Sequence, residues 1–249
     1  MQYGICNLSI VPVRNQPADT SEMVTQLLYG EYFKVLEERG KWSRIRITFD
    51  SYEGWIDNRQ YTKVEESVYF DLSYEERRYS ADLIEFLTDD AEGLTTIAIG
   101  SVLNSNKVLN NTFEGSSIIG VMDKTNLVKT ALLYLNAPYM WGGKTPFGID
   151  CSGLTQMVYM LNGYSLLRNS SQQAAQGEAL SFIEESEPGD LAFFDDSEGK
   201  ITHVGIIMHD NYIIHVNGKV RIDRIDHSGI FNVELKRHTH QLRVIKKII

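Results

Sequence analysis

Hydrophobic positions change their period along this chain. Up to about residue 64 the apolar residues alternate in short runs: "CNLSIVPVR", "EYFKVLEER", "WSRIRIT" and "EGWID". Alternation at every second position predicts strands with one buried face. Turn formers separate the runs: Pro17, Ala18 and Asp19, then Gly30, Gly40 and Asp50. Strands this closely spaced predict a small barrel.

From about residue 124 the period lengthens. "TNLVKTALLYLNA" carries Leu127, Ala131, Leu132 and Leu135 at helical spacing, with Thr125 as cap and Pro138 just beyond. Leu154, Met157, Val158 and Leu161 repeat at i, i+3, i+4 and i+7, which predicts an amphipathic helix closed by Gly163. "DLAFFDD", "ITHVGIIM", "YIIHVNG", "VRIDRID" and "QLRVIKKII" then predict strands. Helices first and strands later is an α+β order. Between the two regions, "SYEERRYSADLIEFLTD" places Tyr79, Leu83 and Leu87 on one face of a short helix, and "LTTIAIGSVLN" and "SSIIGVMD" predict strands. The expected division is 1–64, an all-β barrel; 65–123, a second, degenerate barrel or a linker segment; and 124–249, an α+β domain.

The net charge of -9 argues against nucleic acid and against an anionic membrane surface as partners, because both need concentrated positive charge. No run approaches the ~20 apolar residues of a membrane span. The start "MQYGICNLSIVPVR" lacks the basic and apolar regions of a signal peptide, so a cytoplasmic protein is expected. Two cysteines, Cys6 and Cys151, are too few for a disulfide framework.

Cys151 starts the predicted helix, where unpaired N–H groups and the positive end of the dipole favour thiolate over thiol. Ser152 and Gly153 leave room for a substrate. On the cysteine alone, a small buried hydrophobe is the commoner explanation, and Cys6, in a strand with no acid–base partner, receives it. The histidines alter the balance for Cys151. Of six, His203 and His215 fall inside adjacent predicted strands. If His209, Asp210 and Asn211 form the loop of that hairpin, His215 faces Gly205. The two imidazoles then become diagonal neighbours on one face, roughly 7–8 Å apart at the backbone. A two-residue loop would put them on opposite faces. With the odd loop, His203 takes the proton of Cys151 or holds it as an ion pair. His215 fixes the tautomer of His203, and the Cys151 N–H meets the oxyanion. Zinc on Cys151, His203 and His215 is the competing idea, but no CxxC or HxxxH spacing supports it. No cofactor is expected.

"GIDCSGL", "THVGI" and "IIHVNG" stand in the Cys…His…His order of the NlpC-type cell-wall cysteine peptidases, which this region resembles. "VPVR", "LLYGE", "GKWSRIR" and "YEGWI" resemble a bacterial Src-homology-3-type barrel. Together they resemble the γ-D-glutamyl-L-diamino acid endopeptidases of murein peptide recycling. That resemblance implies a papain-like catalytic fold and, as partner, a murein tripeptide or tetrapeptide with a free L-Ala amine. It implies Cys151 as nucleophile, His203 as base and His215 as third polar residue. Asp150 would hold the amine, although a helix N-cap explains it as well. Ser152 and Ser170 would line the substrate site, as would Trp141, for which core packing is the ordinary alternative. Tyr52 and Glu22 of the barrel would close the cleft beyond L-Ala. An exported hydrolase of intact wall and a non-catalytic wall-binding module are the alternatives.

Overall fold

The computed structural model describes all 249 residues. The chain divides into two compact units, Met1–Gly120 and Val121–Ile249.

In the first unit the alternating runs pair into a seven-stranded antiparallel sheet. Its order is Met23–Leu28, Ile10–Arg14, Glu53–Asp57, Trp42–Ile47, Tyr32–Arg39, Gln2–Ile5 and Thr62–Val64. The inward set, Val11, Val13, Leu27, Phe33, Ile45 and Ile56, is fully buried. A register shift between Val35 and Glu37 marks a bulge, the usual device for bending a sheet on itself. Cys6 lies in this core, its thiol hydrogen-bonded to the Leu8 carbonyl at 3.3 Å.

Residues 65–120 pack onto this sheet. A helix, Glu66–Tyr74, buries Tyr69 and Leu72 against Tyr3, Ile5 and Tyr32. A three-stranded sheet (Ile84–Asp89, Leu94–Ala98, Asn111–Phe113) and a two-stranded ribbon (Arg78–Ser80 with Ser117–Ile119) follow. Tyr29, Leu87, Ile97 and Leu103 form a shared core. The Val102 N–H donates to the Tyr29 carbonyl at 2.8 Å. Gly30, at φ +79°, passes so close to Val102 that any side chain would collide with its carbonyl. The helix expected over residues 73–89 is not there. Ile84–Asp89 is a strand, because pairing with Leu94–Ala98 on one side and Asn111–Phe113 on the other outweighs a weak local periodicity.

In the second unit the strands run Glu178–Leu180, Arg237–Lys247, Leu191–Asp195, Ile201–Ile207, Tyr212–Asn217, Lys219–Asp226 and Gly229–Asn232. Gly229–Asn232 pairs back onto Arg237–Lys247, so six of the seven close on themselves. The helix Cys151–Leu161 packs on Ile201–Ile207 and Tyr212–Asn217. It is not amphipathic in place: every residue from Ser152 to Leu161 is buried. Its polar members are matched instead. Thr155 Oγ1 donates to Gln173 Oε1 at 2.7 Å, Gln156 Nε2 to the Leu166 carbonyl at 3.0 Å and Tyr159 OH to the Gly189 carbonyl at 2.6 Å. Buried polar groups are tolerated when paired in this way. Gly163 ends the helix at φ +86°. The preceding helix, Asn126–Leu132, gets no side-chain cap from Thr125, whose hydroxyl donates to Asp123 instead.

Candidate active site

Asp150 sets the start of the Cys151–Leu161 helix. Its Oδ1 accepts from the Gly153 N–H at 2.6 Å, an N-cap bond, and its Oδ2 from the Gly142 N–H at 2.8 Å. The Arg168 guanidinium grips the same carboxylate at both oxygens, at 3.0 and 2.7 Å. Arg168 also donates to Ser152 Oγ at 3.0 Å, and Ser152 Oγ reaches Asp150 at 3.3 Å. All three side chains are buried. Asp150 and Ser152, expected at the substrate, are thus already engaged within the protein. Gln173 binds the Ser152 and Leu167 carbonyls, which ties the Arg168 loop to the helix.

Cys151 projects from the first helical turn. Its sulfur lies against the backbone N–H groups of Val204 and Ser152, and Val204 follows His203 in the Ile201–Ile207 strand. Burial and the Asp150 charge push the thiol up to about 12, against the opposing pull of those N–H groups and Arg168. Loss of solvation thus opposes the helix end, which favours thiolate.

The hairpin has the odd loop. His209–Asn211 forms the turn, with Asp210 and Asn211 at φ 59° and 60°, and His215 faces Gly205. The two imidazoles meet: His203 Nε2 and His215 Nδ1 are 2.9 Å apart. Sequence reasoning missed the next member. His215 Nε2 lies 3.0 Å from Asp223 Oδ2, and Arg221 holds that carboxylate at 2.7 and 3.0 Å. Ile213 faces Asp223 and His215 faces Arg221 in the adjacent ladder, so Asp223 is diagonal to His215. The diagonal count used for the two histidines, continued past the turn at Gly218, leads to it.

These contacts fix the tautomers. A carboxylate only accepts, so His215 Nε2 carries a proton and its Nδ1 accepts from His203 Nε2–H. His203 Nδ1 is left as the free lone pair. Burial would raise Asp223, but the hydrogen bonds from His215 and Arg221 outweigh it and hold the carboxyl below its usual range. Burial, with His215 and His240 nearby, pushes His203 well below 6.5. Burial also lowers His215, against the pull of Asp223.

His240 was also unforeseen. It comes from the Arg237–Lys247 strand and stacks on His203, centroids 4.2 Å apart and planes 24° apart. Its Nδ1 is 2.9 Å from Thr239 Oγ1, and burial lowers it to about 4. Three histidines kept neutral by the fold bind fewer protons than in the unfolded chain below about pH 6.5. Stability should therefore fall as pH drops from 6.5 toward 5, by up to about 1.4 kcal/mol per pH unit per histidine. Thermal unfolding across that range checks this; a midpoint that does not move would contradict it.

Other expected site residues lie as follows. Trp141 is 60% exposed, so core packing does not explain it. Ser170 is half-buried and opens the Ser170–Gln173 helix. In the first unit, Tyr52 packs at the edge of the barrel core, its N–H on Asp50 Oδ1 at 2.9 Å, and Glu22 is exposed. The roles implied for Tyr52 and Glu22 rest on the resemblance alone. Lys144 is buried.

A family profile described as the NlpC/P60 family matches residues 136–242, and one described as a bacterial dipeptidyl-peptidase Sh3 domain matches residues 13–60. Residues 136–242 form an NlpC/P60 domain. The NlpC/P60 fold is papain-like, preceded here by an all-β, Src-homology-3-like region. The gamma-D-glutamyl-L-lysine dipeptidyl-peptidase of Bacillus subtilis is 26% identical over 215 residues, 77% of this chain and 71% of that one. Dipeptidyl-peptidase 6 of Lysinibacillus sphaericus is 27% identical over 250 residues, 85% of this chain and 87% of that one. In fold, an NlpC/P60 family protein from Bacillus cereus matches 99% of both chains at TM-score 0.78 and 18% identity.

Proposed function

We propose that this NlpC/P60 protein is a cysteine peptidase of peptidoglycan peptides. It cleaves the bond between γ-D-Glu and a diamino acid in free murein tripeptides or tetrapeptides with an unblocked N-terminal L-Ala. The observation that carries the reading is the hydrogen-bonded row His203, His215, Asp223 on the strand whose Val204 N–H meets the Cys151 sulfur. The relatives' names support the bond and the release of an N-terminal dipeptide. A role in recycling such peptides inside the cell agrees with the net charge of -9. No helix is long and apolar enough to cross a membrane.

In this mechanism Cys151 Sγ attacks the γ-carbonyl carbon of D-Glu while His203 Nδ1 takes the thiol proton. His215 accepts the His203 Nε2–H bond and passes the orientation to Asp223, which stabilises the imidazolium as it forms. The Cys151 N–H, unpaired at the helix start, faces the developing oxyanion. The C–N bond then breaks, His203 protonates the leaving amine, and water activated by His203 hydrolyses the thioester. The substrate amine falls to Asp150, whose charge is felt at Cys151 and which it would share with Arg168. Trp141 and Ser170 line the substrate.

The test uses L-Ala-γ-D-Glu-diaminopimelate and its N-acetylated copy. Mass spectrometry should show L-Ala-D-Glu from the first and no cleavage of the second. Equal cleavage of both would remove the free-amine requirement and the role of Asp150. No product from any stem peptide would favour a non-catalytic wall-binding protein.

A further inference from the structure

We propose that His240 is a positioning residue of the peptidase: its ring lies flat on His203 and fixes the plane of that imidazole, and with it the direction of Nδ1. The catalytic consequence rests on the peptidase reading above; the ring geometry does not.

The need for such a residue follows from the shape of an imidazole. His203 is held at Nε2, 2.9 Å from His215 Nδ1. Nε2 lies close to the Cβ–Cγ axis, about which the ring turns in a broad, soft well. A hydrogen bond near a rotation axis restrains the rotation weakly. Nδ1 lies further from the axis, so a turn of the ring displaces the atom that receives the proton more than the atom that is bonded. Contact on the ring face opposes the turn directly. Of the rings against His203, His215 meets it at 85° and Phe194 at 45°. His240 lies along its plane, with centroids 4.2 Å and planes 24° apart.

The closing strand Arg237–Lys247 is irregular where it delivers this ring. Ile230 faces His240 and Phe231 faces His238, so Thr239 is an extra residue in a bulge. Bulges recur beside active sites, where they re-aim a side chain. Gly229, at φ +137°, leaves to the His240 carbonyl the space that a Cβ would fill. The bulged Thr239 brings its hydroxyl to the His240 ring, Oγ1 2.9 Å from Nδ1. Phe194 meets the same ring edge-on, at 66°.

Charge agrees with the role. A neutral aromatic face attracts a cation, whereas a charged neighbour would repel the imidazolium that forms on His203. Burial holds His240 down to about 4; of the charges felt there, His215 lowers it and Asp223 raises it. His240 is therefore uncharged near neutral pH. It also walls an open cavity of ≈ 540 Å³ that does not reach His203.

Kinetics on L-Ala-γ-D-Glu-diaminopimelate and NMR of the Cys151→Ala protein, with carbon-13 at histidine Cε1, test the proposal together. In His240→Leu, which fills space without a flat ring, kcat should fall about 10- to 100-fold, the cost of a misdirected catalytic group. KM should not change, because no substrate contact is lost. His240→Phe, which restores a flat ring, should regain most of the loss. His238→Gln, on the same strand and paired with Asp226, should leave both constants unchanged. The His203 Cε1–H signal should be single and narrow in the parent and in His240→Phe. It should be broadened or doubled in His240→Leu, as the ring samples a second orientation. Unchanged kcat with a narrow signal in His240→Leu, or His240→Phe no better than His240→Leu, would overturn the proposal even if the variant melts earlier. No turnover by the parent would remove the peptidase reading instead, and the NMR comparison would still decide what His240 does to the ring. Should His240→Leu not fold, Thr239→Val takes its place, since it removes only the hydroxyl at the His240 ring. A broadened His203 signal there supports the role, and an unchanged one overturns it.

Discussion

Replacing Cys151 with alanine is expected to remove hydrolysis of γ-D-glutamyl peptides, a loss of about 10⁴-fold or more in kcat/KM. His203→Ala should come close to the same floor, because without its Nδ1 nothing takes the thiol proton. His215→Ala and Asp223→Asn should lose less, about 10- to 100-fold for Asp223→Asn, the cost of losing an orienting partner, since they orient the base and do not touch the substrate. The pH profile separates these roles. With burial holding His203 well below 6.5, kcat/KM should hold through pH 6.5 and fall only below it, where His203 becomes protonated. In Asp223→Asn the imidazolium loses its remote charge, so the acid limb should move further down. Steady-state rates from pH 4.5 to 8 read both. An acid limb above pH 6.5 would contradict a His203 held below its usual value by burial.

The largest structural effect should come from Arg168→Met. Arg168 is 1% exposed and neutralises Asp150, which caps the catalytic helix. Removing one partner of a buried pair leaves an uncompensated charge, which costs about 3–5 kcal/mol. Arg168→Met should therefore destabilise the protein by that amount in urea unfolding. The double variant Arg168→Met with Asp150→Asn should regain a good part of it. Simple additivity of the two changes would show that the pair is not coupled, and that Asp150 stands apart from Arg168.

Much of the site could be read from the sequence because its geometry is local. Cys151 at a helix start follows from periodicity; turn counting left two loops open for the histidines, and the register, with His215 opposite Gly205, selects the three-residue one. Asp223 was within reach of the same count, across the turn at Gly218. His240 was not. It arrives through the closing strand, and register shifts between Phe193 and Phe194 and between Ile230 and Phe231 defeat counting along the chain. Arg168 was not legible either, since a buried ion pair leaves no periodic mark. What covers the sulfur was not legible for a related reason: Val204 comes from a strand some fifty residues away in sequence. In the first unit the alternating runs announced the sheet. Over residues 73–89 a weak helical period concealed a strand whose partners lie further along the chain.

The claim at the centre of this account is that one sulfur carries the chemistry. Carboxymethylation with iodoacetate measures it directly, with the label placed by peptide mapping and hydrolysis followed in the same samples. Activity should fall in proportion to label on Cys151, reach zero at one label per chain, and be protected by the peptide substrate. Full hydrolysis by protein labelled to completion at Cys151 would contradict it.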